Sequence, residues 1–317
     1  MNISCLTNKL VGNRSRKTKR FLFGLAVVII PLIQFCIFYI YVNFNSIILA
    51  FQKYEYAMDG NGFLITFAGF KNFAAAWNAF TYRKYMIVNS LKLLVCNLLI
   101  VTPLALVFAY YIYKGFFGHG FFKVMLFLPH IISGLILSTL FKFMMTDVYV
   151  FFAERITGQT GILGLFDNQA TKYGAVLFFT IWMGFGMNVL LYSGAMAGIN
   201  PAIIESAKLD GAGVAQEFLH IVFPMIFKTF STFLVIQIVG LFTNQMHLYS
   251  FYGGNAGDLA TVGYYIYMTS KSSERIAVGN HLSYPELAAL GLICTAIVMP
   301  STLVLKKLLA KFGPKED

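Results

Sequence analysis

The sequence predicts an all-α polytopic membrane protein of six transmembrane helices, and three observations carry that prediction. Of the 317 residues, 58% are hydrophobic and 12% charged, against the roughly 25% charge of a soluble domain. Six apolar segments meet or approach the length of about 20 residues that a helix needs to cross a hydrocarbon core. The alternation over about ten residues that marks barrel strands is weak in all of them.

In chain order the predicted spans are residues 21–44, 85–113, 121–145, 175–199, 221–246 and 287–305. Lys9, Arg14, Arg16, Lys17, Lys19 and Arg20 precede the first, and the first acidic residue is Glu55. Short cytoplasmic segments retain an excess of Lys and Arg, so residues 1–20 are expected to form a basic cytoplasmic tail. The first apolar run exceeds the about 7–15 residues of a secretory signal's apolar region, and no small-x-small cleavage site follows, so it is taken as a retained span. A six-helix domain then covers residues 21–308. Counting spans puts Lys114, His119 and Lys123, the polar segment 200–224, and a tail at 309–317 on the cytoplasmic side, with Lys306, Lys307, Lys311 and Lys315 beside or within that tail.

Composition also narrows the function. The net charge of +11 flanks spans instead of covering one face of a domain, which fits anionic membrane lipid and orientation and no nucleic acid. Cys5, Cys36, Cys96 and Cys294 lie far apart, with no CxxC pair and no Cys/His cluster. They are expected to serve as small apolar residues, not as disulfides or metal ligands. No Gly-Lys dipeptide occurs, which excludes a P-loop, and HExxH and GxSxG are missing. The predicted spans hold no Asp or Glu, the usual carriers of a proton relay. The chain is therefore expected to be no enzyme, with no catalytic residue, metal or cofactor of its own.

One stretch stands apart from this apolar background: ESAKLDGAG, residues 205–213. Asn200 precedes it as a helix cap, with Pro201 at the first helical position, where a missing N–H costs nothing. Residues 201–210 are predicted to form a helix of about 15 Å. Ile203, Ile204 and Ala207 fall on one side and Glu205 and Lys208 on another, before Gly211 and Gly213 break it. A second helical stretch from Ala215 leads through Pro224 into the fifth span. The segment is too short and too charged to cross lipid.

Glu205-Ser206-Ala207-x-x-Asp210-Gly211-Ala212, followed by Phe218, Ile221 and Pro224, resembles the EAA loop of permease subunits in bacterial ABC importers. Ser206, where that pattern has Ala, keeps a small residue. Other stretches resemble the carbohydrate (maltose-type) permeases: Phe67-Ala68-Gly69-Phe70-Lys71-Asn72-Phe73, Asn89-Ser90-Leu91, Trp182-x-Gly184-Phe185, and residues 261–267.

The resemblance implies a type I importer permease architecture in a bacterial cell membrane, multi-pass, with both termini cytoplasmic. It implies that Glu205, Ser206, Ala207, Asp210, Gly211 and Ala212 form a coupling helix. Two separate cytoplasmic ATPase subunits, which bind ATP and Mg, would dock there and rock the permease between inward-open and outward-open states. It further implies a second permease in a heterodimer, an extracellular substrate-binding protein, and a sugar or oligosaccharide as cargo. Positions matching the family's sugar contacts are Met183, Gly184 and Met187 before the loop, and Gln237, Gly240, Leu241 and Asn244 after it.

The residues themselves leave the last group open. Gln237, Asn244 and Gln245, at offsets of seven and eight, are expected to share one helical face. Such a stripe serves either interhelical hydrogen bonding or contact with a neutral polyol, because amides both donate and accept. Lys92 and Lys142 are expected to snorkel from the outer ends of spans two and three, with attraction of a substrate anion as the alternative. His130 and His247 are expected to be hydrogen-bonded helix residues. A peptide or amino-acid importer is the runner-up. A secondary transporter would show mid-membrane ion sites and an internal repeat, and neither is visible; a structural membrane protein would have no use for the loop.

Overall fold

The computed structural model describes residues 3–56, 63–272 and 282–314, with the side chains of residues 3–17 outside the described set. The side chains of Cys5, Lys9, Arg14, Arg16, Lys17 and Lys315 thus lie outside it. Among the described residues, six helices are long and apolar enough to cross a membrane: Thr18–Ala50, Lys84–Tyr113, Gly134–Thr157, Lys172–Ala197, Val214–Phe242 and Tyr284–Phe312, here spans one to six. Contacts divide the chain into two units, residues 1–75 with 274–292, and residues 76–273 with 293–317.

In the first unit the opening helix runs on to Ala50 through a π-helical turn, Cys36–Tyr41. A hairpin follows, β1 (Gln52–Tyr56) antiparallel to β2 (Phe63–Phe67), with Gln52 opposite Phe67. This hairpin is a small β element added outside the helical spans. Its strands carry Tyr54, Phe63, Ile65 and Thr66, residue types that favour a pleated surface, in runs too short to read as membrane spans. Gly69, at φ +57°, turns the chain after β2. Asn72 is buried and its Nδ2 donates to Ala50 O at 2.9 Å and Gln52 O at 2.7 Å. It thereby satisfies a carbonyl that the end of the first helix leaves open. Phe51 sits among Phe67, Phe70 and Phe73, with ring centroids 5.1–6.3 Å apart. The Phe67–Phe73 motif is thus a staple that holds the hairpin to the end of span one.

In the second unit, two spans carry a π-helical turn ahead of a proline. The π turns Asn97–Val101 and Phe218–Val222 each end two residues before a proline, Pro103 and Pro224. The wider turn accommodates a ring that would otherwise press on the preceding turn and a hydrogen bond that cannot be made. The core lies where spans two and four pack. Ala105 and Ala109 are fully buried beside Val189, Tyr192 and Met196, the small residues letting the helices approach closely.

The third predicted span, 121–145, is corrected. A helix His119–Ile131 ends after Pro129, Ile132 and Ser133 are extended, and a new helix begins at Gly134. Leu137 N–H bonds Ser133 O at 2.9 Å to start it. Hydropathy is high on both sides of the break and so does not register it. The shift places Lys142 within the third span, away from its predicted outer end. Acids also enter the spans, contrary to expectation: Asp147 and Glu154 in the third, Glu217 in the fifth and Glu286 in the sixth.

Two sequence motifs meet in space. Asn89 Nδ2 donates to Asp258 O at 2.8 Å and Ala260 O at 3.1 Å, and Ser90 Oγ accepts from Val262 N–H at 3.1 Å. Asn89-Ser90 therefore holds the start of the 261–267 stretch. Nearby, Phe141, Phe166, Phe179, Trp182 and Phe251 form an aromatic cluster with centroids 4.8–6.4 Å apart.

Candidate functional site

The polar segment before span five folds as its residues dictate. Asn200 Oδ1 accepts from Ala202 N–H at 3.1 Å, Pro201 takes the first position, and the helix runs Pro201–Leu209. It ends in a Schellman turn: Gly211 N–H bonds Lys208 O at 3.1 Å and Ala212 N–H bonds Ala207 O at 2.9 Å, with Gly211 at φ +80°. A Cβ at Gly211 would meet nothing within 4 Å, so the demand for glycine is conformational. Gly213 is extended, not a second left-handed break, and caps the next helix, its N–H donating to Gln216 Oε1 at 3.0 Å.

Ile204 and Ala207 face inward, each 7% exposed, and Ile204 joins the core beside Val222 and Ile226. Ile203, expected on the same side, instead stands at the rim. Glu205, Ser206, Lys208 and Asp210 face out, joined by Leu209, which is 89% exposed. Ala202, Ile203, Ser206, Ala207, Asp210, Ala212 and Ile221 line a shallow depression of about 500 Å³. The outward surface therefore combines charge, a free leucine and a hollow, which suits docking of a protein better than contact with lipid.

At the root of this segment, Glu217 is 2% exposed and accepts from Lys114 Nζ on both oxygens, at 2.9 and 2.8 Å. Tyr110 OH lies 3.0 Å from Glu217 Oε1 and 3.1 Å from Val214 O. This cluster is not legible in the sequence, because its partners are 103 and 107 residues apart. A single acid in the first turn of a span was the only local sign.

The expected amide stripe is corrected. The α-helix of span five ends at Val239, Gly240–Phe242 form a 3₁₀ turn, and Asn244 and Gln245 lie beyond it. Gln237, Asn244 and Gln245 therefore do not share one α-helical face. Gln237 Nε2 donates to Thr102 Oγ1 of span two at 2.9 Å, and its Oε1 is buried with no hydrogen-bond partner among the described residues. Asn244 Oδ1 accepts from Met246 N–H at 2.8 Å, and Asn244 O accepts from Thr261 at 2.8 Å. Leu241 is half-buried within the 3₁₀ turn. On span four, Gly184 and Met187 are exposed, and Met183 lies against Gly134. Spans four and five are neighbours through Tyr192 and Phe233, centroids 5.1 Å apart.

The isolated cations and histidines find local partners. Lys142 Nζ donates to Phe251 O at 2.7 Å and lies 5.6 Å over the Tyr252 ring, where it ties two segments together instead of snorkelling. Lys92 lies 5.3 Å over the Tyr173 ring. His130 stacks on Phe127. His247 is on no helix: its backbone is left-handed at φ +54°, its ring meets Phe179 edge-on, and burial lowers its pKa.

A family model described as "binding-protein-dependent transport system inner membrane component" matches residues 101–316. The chain is 28% identical over 224 residues to the probable starch degradation products transport system permease protein AmyD of Thermoanaerobacterium thermosulfurigenes, covering 68% of this chain and 73% of that one. It is 24% identical over 305 residues to the arabinooligosaccharides transport system permease protein AraP of Bacillus subtilis (strain 168), covering 94% and 90%. Its fold resembles a chain of a bacterial ABC transporter that imports the acidic polysaccharide alginate, with a TM-score of 0.70, 21% identity, and coverage of 95% of this chain and 99% of that one.

Proposed function

The chain belongs to the family of binding-protein-dependent transport system inner membrane components, and on that premise we propose that it is the permease subunit of an ATP-driven importer of oligosaccharides. The observation that carries the proposal is the helix Pro201–Leu209. It is a stiff, capped, outward-facing element standing outside an apolar bundle and rooted in its core through Ile204. A rigid handle of this kind suits a protein that receives force from a partner. The relatives' names, which span starch products and arabinooligosaccharides, support a sugar over a peptide cargo. Two cytoplasmic ATPases, which bind ATP and Mg, a second permease and an extracellular binding protein complete the assembly. The loop and both termini face the cytoplasm.

Purification of the tagged chain from its native membrane is expected to recover an ATPase and a second permease. Reconstituted with its binding protein, the complex should hydrolyse ATP faster with members of a panel of neutral and acidic oligosaccharides. Ser206→Cys, in a background without native thiols, should resist an impermeant thiol reagent applied from outside. A chain recovered alone, or ready labelling at position 206, would overturn this function or this orientation respectively.

Gly184, Met187, Gln237, Gly240, Leu241 and Asn244 are assigned to the substrate path, with Gln237 the most informative because its Oε1 has no partner among the described residues. Gln237→Ala is expected to reorder uptake across the oligosaccharide panel, since a path-lining amide touches particular hydroxyls. Loss of the Thr102 bond should lower stability by only about 0.6 kcal/mol. A proportional fall for every sugar would instead make Gln237 a packing residue.

A further inference from the structure

The Lys114–Glu217 pair is costly chemistry to place inside a protein. The two side chains are 13% and 2% exposed, and desolvating two charges offsets much of their attraction. Apolar residues of similar volume often serve stability as well or better. Stability alone therefore gives little reason for the pair. Its geometry gives a better one. Two bonds from one ammonium to both carboxylate oxygens, with the Tyr110 hydroxyl at one of those oxygens, fix direction as well as distance, where apolar contacts can slide.

The position is equally specific. Lys114 immediately follows the last residue of span two, Tyr113, and Tyr110 is in its final turn. Glu217 lies in the first turn of span five, in the stretch Val214–Glu217, which the Gly213 cap joins to the Schellman turn of helix Pro201–Leu209. Further along, span two carries Thr102, the hydrogen-bond partner of Gln237. A continuous run of bonded groups thus leads from the outward-facing helix, through Glu217 and Lys114, to span two and the amide assigned to the substrate path.

We propose that Lys114, Glu217 and Tyr110 are positioning residues forming the joint through which movement of the Pro201–Leu209 helix is transmitted to span two. The proposal rests on the ATP-driven reading given above. In that role they act through their bonds to one another, not on nucleotide or substrate.

The test uses the assembled complex in liposomes, with the oligosaccharide of the panel that stimulates hydrolysis most. Lys114→Met combined with Glu217→Leu is expected to assemble with a thermal midpoint like wild type, yet to lose about tenfold in uptake per ATP hydrolysed, the size of effect that coupling residues can have. Exchanging the charges, Lys114→Glu with Glu217→Lys, should recover most of that loss. An apolar pair that couples like wild type overturns the joint and leaves the transport function standing. If the apolar pair does not assemble, the exchanged pair decides: coupling near wild type supports the joint, and an assembled but uncoupled exchange overturns it. A wild-type complex whose hydrolysis ignores every sugar overturns the transport function, and the joint with it.

Discussion

Gly211→Val is expected to leave a complex that assembles but transports at least tenfold more slowly, a loss equivalent to about 1.4 kcal/mol of coupling. At φ +80° a glycine costs nothing, whereas an L-residue in the left-handed region costs about 1–2 kcal/mol and a β-branched one is a genuine outlier. Nothing lies within 4 Å of the added Cβ, so the chain relieves the strain by leaving the left-handed conformation. Both turn bonds then break, Gly211 N–H to Lys208 O and Ala212 N–H to Ala207 O. The last turn frays, and Leu209 and Asp210 lose the place from which they would meet an ATPase. The apolar root, Ile204 against Val222 and Ile226, is untouched, so the bundle should persist. Gly211→Asn should keep most of the activity, since asparagine visits the left-handed region at little cost. The comparison is substrate-stimulated hydrolysis and uptake per assembled complex. Wild-type coupling in the valine variant would mean that the end of this helix transmits nothing.

What the sequence made legible follows the range of the interactions. The Asn200 cap, Pro201 and Gly211 act on their immediate neighbours, so the helix 201–209 could be drawn nearly to the residue. The spans were legible because apolar length is a local property. The break at Ile132–Ser133 was not, since it separates two apolar helices and Pro129 lies a turn from its effect. The 3₁₀ turn at Gly240 likewise falls inside an apolar run, where helical periodicity continues unbroken to Asn244. The hairpin was hidden because Gln52–Tyr56 is polar enough to pass for a loop. Asn72 was visible only as part of a motif; its reason, two carbonyls near the end of span one, lies 20 and 22 residues back. Glu217 and Lys114 were beyond reach because neither signals the other across 103 residues.

Gly186→Val is expected to prevent assembly, and the contrast with Gly184 makes it informative. A Cβ at Gly186 would lie 1.8 Å from Leu126 O and 2.6 Å from its carbonyl carbon, where helix His119–Ile131 crosses span four. The obstacle is backbone, which cannot swing aside as a side chain can. Overpacking that side chains relieve costs about 1–3 kcal/mol, and this site should reach or exceed the upper end. The measurement is the yield and thermal midpoint of detergent-purified complex; a Gly186→Ala complex with the wild-type midpoint would refute the crossing. Gly184 is two residues away, about 200° around the helix, exposed, with nothing within 4 Å of an added Cβ. Gly184→Leu should therefore assemble with an unchanged midpoint, and its effect should fall on the path. If Gly184 and Met187 line the route of the substrate, the added side chain should reduce uptake of the longer oligosaccharides more than the shorter. An equal rate for every member of the panel would assign that face of span four to lipid or to the second permease, and leave Gln237 as the remaining marker of the route.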